Sequence, residues 1–361
     1  ASMPSLSAWF RKTSGSLWAP VFSNAKAVKK ESMKVLITGA NSLLGSNLTR
    51  KLLRANYQVK GMVRERSNLL SLKGTTPELF IGSFLNPTDL KKALVDCQVA
   101  VHVAANTSQW ASDYEDYRKP NIDGTRLMLE ACLNAGIERF IFVGSANAFG
   151  PGSQEAPGDE STPFTKLQRQ SGYMRSKYEA QQLVLDFHRK HNFPAIVVNP
   201  TFMLGKHDAK PSSGQMLLMA HGKKLMPHPT GGKNFVHVED VATGIVSAIE
   251  KGRSGECYLL ANENLSYQEF FSKMQTVCDW PKHLVKLPKP LLNLAGQAGT
   301  WYERLSGNPA KLNDINAKLL QADNYYSPAK AVRELQLPQT PVEEAIKDAL
   351  VWFEENGYLK K

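Results

Sequence analysis

The sequence predicts an α/β protein with a doubly wound parallel sheet and a smaller, mostly helical C-terminal part. Two observations carry this. Short apolar, β-branched runs alternate with amphipathic helical stretches through the first 200 residues, the pattern of a parallel sheet with crossover helices. The first such run meets a Gly-containing turn that opens directly into a helix.

The elements follow in order. Lys34–Thr38 (KVLIT) reads as a strand, and the stretch after the turn, SNLTRKLLRANY, as a helix. Strands follow at Gln58–Val63, Glu78–Ile81, Ala100–Ala104, Phe140–Val143 and Ala195–Val198. Helices are expected at Pro87–Val95, Tyr117–Ala135 and Gly172–His191. After Pro200 the rhythm changes. Phe235–Val238 reads as a strand and Asp240–Glu250 as a helix. Proline-broken helical segments then run over Tyr267–Cys278, Pro290–Ser306 and Pro341–Asn356. Residues 33–200 and about 233–262 are assigned to a nucleotide-binding domain. About 201–232 and 263–361 are assigned to a substrate-binding domain.

The 361 residues are 42% hydrophobic, enough for a sizeable core, and contain no apolar run long enough for a transmembrane helix. Four scattered cysteines form no C-x-x-C pair, so neither a disulfide frame nor a zinc site is expected. The formal net charge of +11 suggests an anionic partner. No nucleic-acid motif accompanies it, so the partner expected is an anionic cofactor or substrate. Part of the excess lies in residues 1–32, a Ser-rich leader with Arg11, Lys12, Lys26, Lys29 and Lys30 against Glu31. It reads as a fusion remnant, a targeting segment or an extension that docks on the domain or a partner. A cytoplasmic location is expected, or an organelle matrix if the leader is a retained targeting segment.

The turn Thr38-Gly39-Ala40-Asn41-Ser42-Leu43-Leu44-Gly45 has the chemistry of a dinucleotide site. Glycine lets the backbone approach a pyrophosphate, and the helix N-terminus supplies free N–H groups and partial positive charge. Gly39, Asn41, Ser42, Leu43, Leu44 and Gly45 are therefore candidate cofactor residues. At the end of the second strand stands Arg64, where an acidic residue would bind a ribose 2′-hydroxyl. A guanidinium suits a 2′-phosphate, so NADP is the expected cofactor, with NAD the alternative. Tyr173 and Lys177, at i and i+4, share a helix face. An ammonium there favours the phenolate and lowers the tyrosine pKa. Ser145 lies just past the fifth strand, at the edge where such sheets bind ligands, and a hydroxyl there can polarise a carbonyl.

Thr38–Gly45, His102-Val103-Ala104-Ala105, Asn121–Thr125, Ser145–Gly150, Tyr173–Lys177, Asn199-Pro200 and Phe235–Val241 occur in the order seen in extended short-chain dehydrogenases/reductases. From about Met33 to the C-terminus the chain resembles that superfamily. Within it, Gly222–Val241 resembles dihydroflavonol-reductase-like proteins and the hopanoid-associated sugar epimerase group. The resemblance implies a Rossmann-type fold with Tyr173 as general acid/base. Lys177 would hold the nicotinamide ribose, and Ser145 would orient the carbonyl. Asn121 would support the active-site helix or a proton relay. Ala104 and Ala105 would line the cofactor, and Pro200 would flank the nicotinamide. Three departures stand out: Ser42 for the middle glycine, Ser83 (beside Phe84) for an aspartate near adenine, and Asn199 for the arginine common in sugar-nucleotide epimerases.

Ser108, Trp110, Asn147, Phe149 and Phe202 are candidate substrate contacts. His188 and His191 share a helix face without a carboxylate or cysteine to complete a metal site, and no metal is expected. The leading expectation is an NADP-dependent oxidoreductase acting on a small carbonyl or alcohol, with a homodimer as an option. The alternatives are a nucleotide-sugar epimerase or dehydratase, and an NADP-binding structural subunit anchored by its leader.

Overall fold

A computed structural model describes residues 33–108 and 113–359. The leader and Trp110 lie outside the described residues. The chain builds β1 (Lys34–Thr38), α1 (Leu43–Arg54), β2 (Gln58–Val63), β3 (Glu78–Ile81), α2 (Pro87–Ala93) and β4 (Val99–His102). It continues through α3 (Glu115–Arg118), a wide π-type turn at Lys119–Asp123, α4 (Gly124–Asn134), β5 (Arg139–Val143), α5 (Gly172–His191) and β6 (Ala195–Pro200).

The second half contributes β7 (Phe202–Leu204), α6 (Gln215–Ala220), β8 (Leu225–His228), β9 (Gly232–His237), α7 (Val238–Lys251), β10 (Cys257–Leu260), β11 (Glu263–Ser266) and α8 (Tyr267–Cys278). Then come β12 (His283–Lys286), α9 (Lys289–Ser306), α10 (Asp314–Gln321), β13 (Asp323–Asn324), α11 (Ala329–Leu335) and α12 (Val342–Glu355).

Seven strands form one sheet in the order β10-β6-β5-β4-β1-β2-β3, and every pairing in it is parallel. The order reverses beside β1, whose neighbours are β2 and β4. That switch point opens a crevice at the carboxyl edge. Apolar side chains cover both faces, as parallel strands require. One core joins Ile37, Val101 and Val198 to Leu48 and Leu52 of α1 and Val241 and Ile245 of α7. The other joins Leu36, Phe140 and Val197 to Leu90 of α2, Met128 of α4 and Val184 of α5. A third core lies among β9, α8 and α12, around Phe235, Phe270 and Phe353.

The predicted fold class is observed, and α5 and α8 span the residues expected. Several boundaries differ for identifiable reasons. The strand expected to reach Ala104 ends at His102, because the Ala104 amide turns to the Thr38 hydroxyl. The helix expected over Tyr117–Ala135 begins at Glu115 and widens at Pro120, which has no N–H to donate into a regular turn. The run expected as Phe235–Val238 is six residues long and stops at His237, whose ring accepts from the Glu239 amide and caps α7. The four-residue run CYLL, not anticipated as a strand, is the sheet's edge strand beside β6.

Candidate functional site

The carboxyl ends of β1, β4, β5 and β6 meet at one edge, and most of the candidate residues gather there. Gly39 ends β1 with φ +71°, a left-handed conformation that glycine adopts freely. A Cβ at Gly39 would stand 3.0 Å from the Ala104 backbone, and one at Gly45 would fall 2.2 Å from the Gly39 carbonyl oxygen. Three stretches of backbone thus meet with no room for side chains. Ser42, at the middle of the turn, has φ −81° and needs no glycine-like conformation. Its hydroxyl accepts from the Gly45 amide at 3.0 Å and caps α1, whose first turn has no acidic residue. The turn keeps its shape despite the substitution. A bare backbone cradle at an acid-free helix N-terminus fits a dinucleotide pyrophosphate.

Leu43 and Leu44 are buried in the core beneath the turn. The Asn41 amide donates to the Asn68 carbonyl (3.1 Å), and the Asn41 carbonyl accepts from Ser71 (2.8 Å), so the loop after β2 is tied to the turn. Arg64 follows β2 directly. Its backbone amide donates to the Ser67 hydroxyl, while its exposed guanidinium has no hydrogen bond or ion pair among the described residues. The Ser83 amide donates to Asp89 (2.9 Å), so a carboxylate six residues on occupies that region. Phe84 meets the His102 ring edge-on at 5.4 Å. Ala104 and Ala105 are half-buried beside the turn, and Pro200 is buried at the end of β6.

Ser145 stands two residues past β5, buried, with Tyr173 on the first turn of α5 next to it. Burial pushes the Tyr173 phenol above its ordinary value, and the nearby Ser145 hydroxyl pulls the other way. The direction is upward, opposite to the lowering expected from Lys177, because desolvation of the phenolate outweighs every nearby favourable contact. Lys177 is only 3% exposed. Its ammonium donates to the Val143 carbonyl at 2.8 Å and lies 5.1 Å from the Phe142 ring centre. Burial alone brings it down to about 7.

Asn121 sits in the wide turn and acts as a clamp. Its oxygen accepts from the Asn106 amide (2.7 Å), and its nitrogen donates to the Asn106 carbonyl (3.0 Å) and the Ser176 hydroxyl (2.9 Å). Ser176 in turn donates to the Tyr173 carbonyl at 2.8 Å. Asn121 therefore joins the loop after β4 to the turn of α5 that bears Tyr173 and Lys177.

Other buried polar groups complete the arrangement, and no sequence pattern announces their partners. Asn199 donates to the Ser145 carbonyl (2.9 Å) and to Gln181 of α5 (2.6 Å). Gln168 donates to the Asn147 and Phe149 carbonyls at 3.1 and 2.7 Å. His102 shares a 2.7 Å hydrogen bond with Thr38, and burial lowers its pKa to about 3, so the ring is neutral. One signal was available: Asn199 is the one amide in the otherwise apolar run AIVVNP.

The candidate substrate residues divide. Ser108 is exposed, and its carbonyl accepts from the Tyr117 hydroxyl (2.7 Å). Asn147 and Phe202 are half-buried, with the Phe202 ring edge-on to Phe235 and the Lys233 ammonium 5.5 Å from its centre. Phe149, expected as a pocket wall, is instead 7% exposed and packed in the core with Tyr326. It supports the site from beneath. A cleft of about 340 Å³ opens at the start of α5, between Tyr114, Tyr117 and Gly172 on one side and Glu303, Gly307 and Asn313 on the other.

Comparison with known proteins shows the family. Residues 35–261 match the NAD dependent epimerase/dehydratase family. The "Putative dihydroflavonol 4-reductase" of Synechocystis is 33% identical, across 90% of this chain and 95% of that protein. The 4-hydroxy-2-methyl-3-oxo-4-farnesyl-3,4-dihydroquinoline-1-oxide ketoreductase of Stigmatella aurantiaca is 30% identical, across 64% and 68%. The crystal structure of gox2253 superposes with a TM-score of 0.80 at 32% identity, covering 91% of this chain and all of that one.

Lys177 makes stability depend on pH. Unfolded, a lysine holds its proton to about 10.4. Folded, Lys177 releases it near 7. Between those values the unfolded chain binds more protons, so this group makes stability rise with pH, by up to about 1.4 kcal/mol per unit. Denaturant titration of the nucleotide-free chain at pH 7 to 10 should show this rise reduced in Lys177→Met. An identical pH dependence in parent and variant would contradict the shift.

Proposed function

The chain belongs to the NAD dependent epimerase/dehydratase family, and from that premise we propose that it is an NADP(H)-dependent oxidoreductase interconverting a carbonyl and a hydroxyl on a small organic substrate. The observation that carries the reading is the Tyr173 phenol beside the Ser145 hydroxyl at the carboxyl edge, with the buried Lys177 ammonium one turn further along α5. The cofactor supplies or accepts the hydride. The chain's own residues handle the proton. Ser145 donates a hydrogen bond to the substrate oxygen and polarises it. Tyr173 gives its phenolic proton to that oxygen in reduction and takes it back in oxidation. A phenol, protonated at neutral pH and pushed further upward by burial, suits the donor role. The Lys177 ammonium favours the phenolate as it develops. Asn121 and Asn199 are positioning residues, because they act through Ser176, Gln181 and the Ser145 backbone.

Arg64 supports NADP over NAD. It ends β2 beside the turn, and its guanidinium has no partner among the described residues. Reduction of a ketone is also the activity named for the Stigmatella relative. A nucleotide-sugar epimerase would use the same tyrosine without net cofactor turnover. Against it stands Asn199, a short amide committed to Ser145 and Gln181 where an arginine is common in such enzymes.

NADPH oxidation across a panel of ketones and aldehydes tests the chemistry. Tyr173→Phe should turn over about 10²- to 10⁴-fold more slowly while still binding NADPH. Undiminished turnover would refute the assignment. Arg64→Ala should weaken NADPH binding by about tenfold or more and leave NADH binding nearly unchanged, as read by fluorescence titration. Tighter NADH binding that ignores Arg64→Ala would refute the NADP preference.

A further inference from the structure

Helix α9 is amphipathic in an unusual sense, because its apolar face points outward. At 3.6 residues per turn, Leu291, Leu294, Ala298, Trp301, Tyr302 and Leu305 fall within an arc of about 100°. The large members are exposed: Leu294 by 64%, Trp301 by 62% and Leu305 by 83%. The opposite face makes the fold contacts, and there Leu292 is buried among small and polar residues. A Cβ at Gly296 would stand 2.7 Å from the Ala317 side chain, and one at Gly299 would fall 1.8 Å from the Leu312 carbonyl oxygen. The Thr300 hydroxyl accepts from the Asp314 amide at 3.0 Å, and Glu303 accepts from Ala310 and Asn313. Docking α9 on α10 therefore leaves the Leu/Trp/Tyr stripe uncovered. A contiguous exposed apolar stripe of this kind marks an interaction site.

Charge identifies the occupant. Residues 282–311 carry Lys282, Lys286, Lys289, Arg304 and Lys311, all exposed; Lys282 is paired with Asp279, and Glu303 is the segment's one acid, turned inward. The adjoining strand β8, paired with β12, is preceded by exposed Lys223 and Lys224. A second copy docked through this face would bring one net-positive segment against another. The leader, with five Lys or Arg to one Glu, is repelled in the same way. A tryptophan–tyrosine–leucine stripe flanked by Arg304, on a helix in a basic segment, matches the interface of an anionic bilayer. Among the described residues no helix is long and apolar enough to cross a membrane.

We propose that the outward Leu291–Leu305 face of α9 seats the protein on an anionic lipid surface, with the helix lying in the plane of the interface. The placement bears on the site, because Glu303 and Gly307 at the end of α9 wall the cleft whose other wall is Tyr114, Tyr117 and Gly172, and the Tyr117 ring lies 6.4 Å from that of Tyr173. Resting on the oxidoreductase reading, this deepens it: the substrate class is a carbonyl or alcohol dissolved in the membrane.

The test is co-sedimentation of the full chain with vesicles of phosphatidylcholine containing phosphatidylglycerol, against vesicles of phosphatidylcholine alone. The parent should bind the anionic vesicles and be released by high salt. Trp301→Ser/Leu305→Ser and Lys286→Glu/Lys289→Glu should each lower the bound fraction by about tenfold. Both sets of positions are exposed, and unchanged thermal unfolding would show the variants folded. Equal vesicle binding by parent and variants would overturn the proposal. So would a dimer in size-exclusion chromatography that Trp301→Ser/Leu305→Ser dissociates while vesicles bind neither form. Tyr173→Phe should bind vesicles like the parent, so failure of the catalytic reading and failure of this one are separable.

Discussion

The site depends on how α5 is fastened to the carboxyl edge of the sheet. Three buried side chains do this. Lys177 reaches the end of β5 through the Val143 carbonyl. Asn199, from β6, holds both the Ser145 carbonyl and Gln181. Asn121 holds Ser176 and the loop after β4. Each bond is made away from water, where an unpaired partner costs about 1–3 kcal/mol, so helix and strand edge are fixed relative to one another. Tyr173 gains its place beside Ser145 from these bonds. Its own phenol is free of structural duty apart from that hydroxyl.

The same edge is organised by absence of side chains on the nucleotide side. Gly39 and Gly45 let the turn, α1 and the Ala104 segment close on one another. Ser42 shows which feature of the turn is indispensable: a residue at negative φ with a capping oxygen serves there, whereas Gly39 at φ +71° has no such latitude. The parallel sheet places backbone cradle and proton-handling residues along one crevice, because both lie at strand ends near the switch point.

Much of this was legible in the sequence. The alternation of β-branched runs and amphipathic stretches located the first six strands of the sheet, and the turn, Ser145 and the Tyr173–Lys177 spacing pointed to one edge. Asn199 stood out only as a departure, because its partners lie 54 and 18 residues away and no periodicity encodes them. The run CYLL is too short to distinguish strand from loop until its pairing with β6 is seen. Helix α9 is the most instructive case. Its apolar period is plain, and on its own such a stripe reads as a core face. Gly296 and Gly299 invert that reading, because close approach of α10 to a glycine face leaves the apolar face outside. Periodicity reports that a face exists, and packing decides which way it turns.

The central claim is that buried amides, and not the catalytic side chains alone, set the geometry for proton transfer. Steady-state kinetics of Asn199→Leu test it most directly. The substitution keeps a similar volume and removes both hydrogen bonds, leaving the Gln181 oxygen unpaired and the Ser145 carbonyl with the Ala148 amide alone. With Ser145 and α5 less firmly placed, kcat should fall by about ten- to a hundredfold while NADPH affinity stays close to that of the parent. A folded Asn199→Leu enzyme with the parent's kcat would contradict the account.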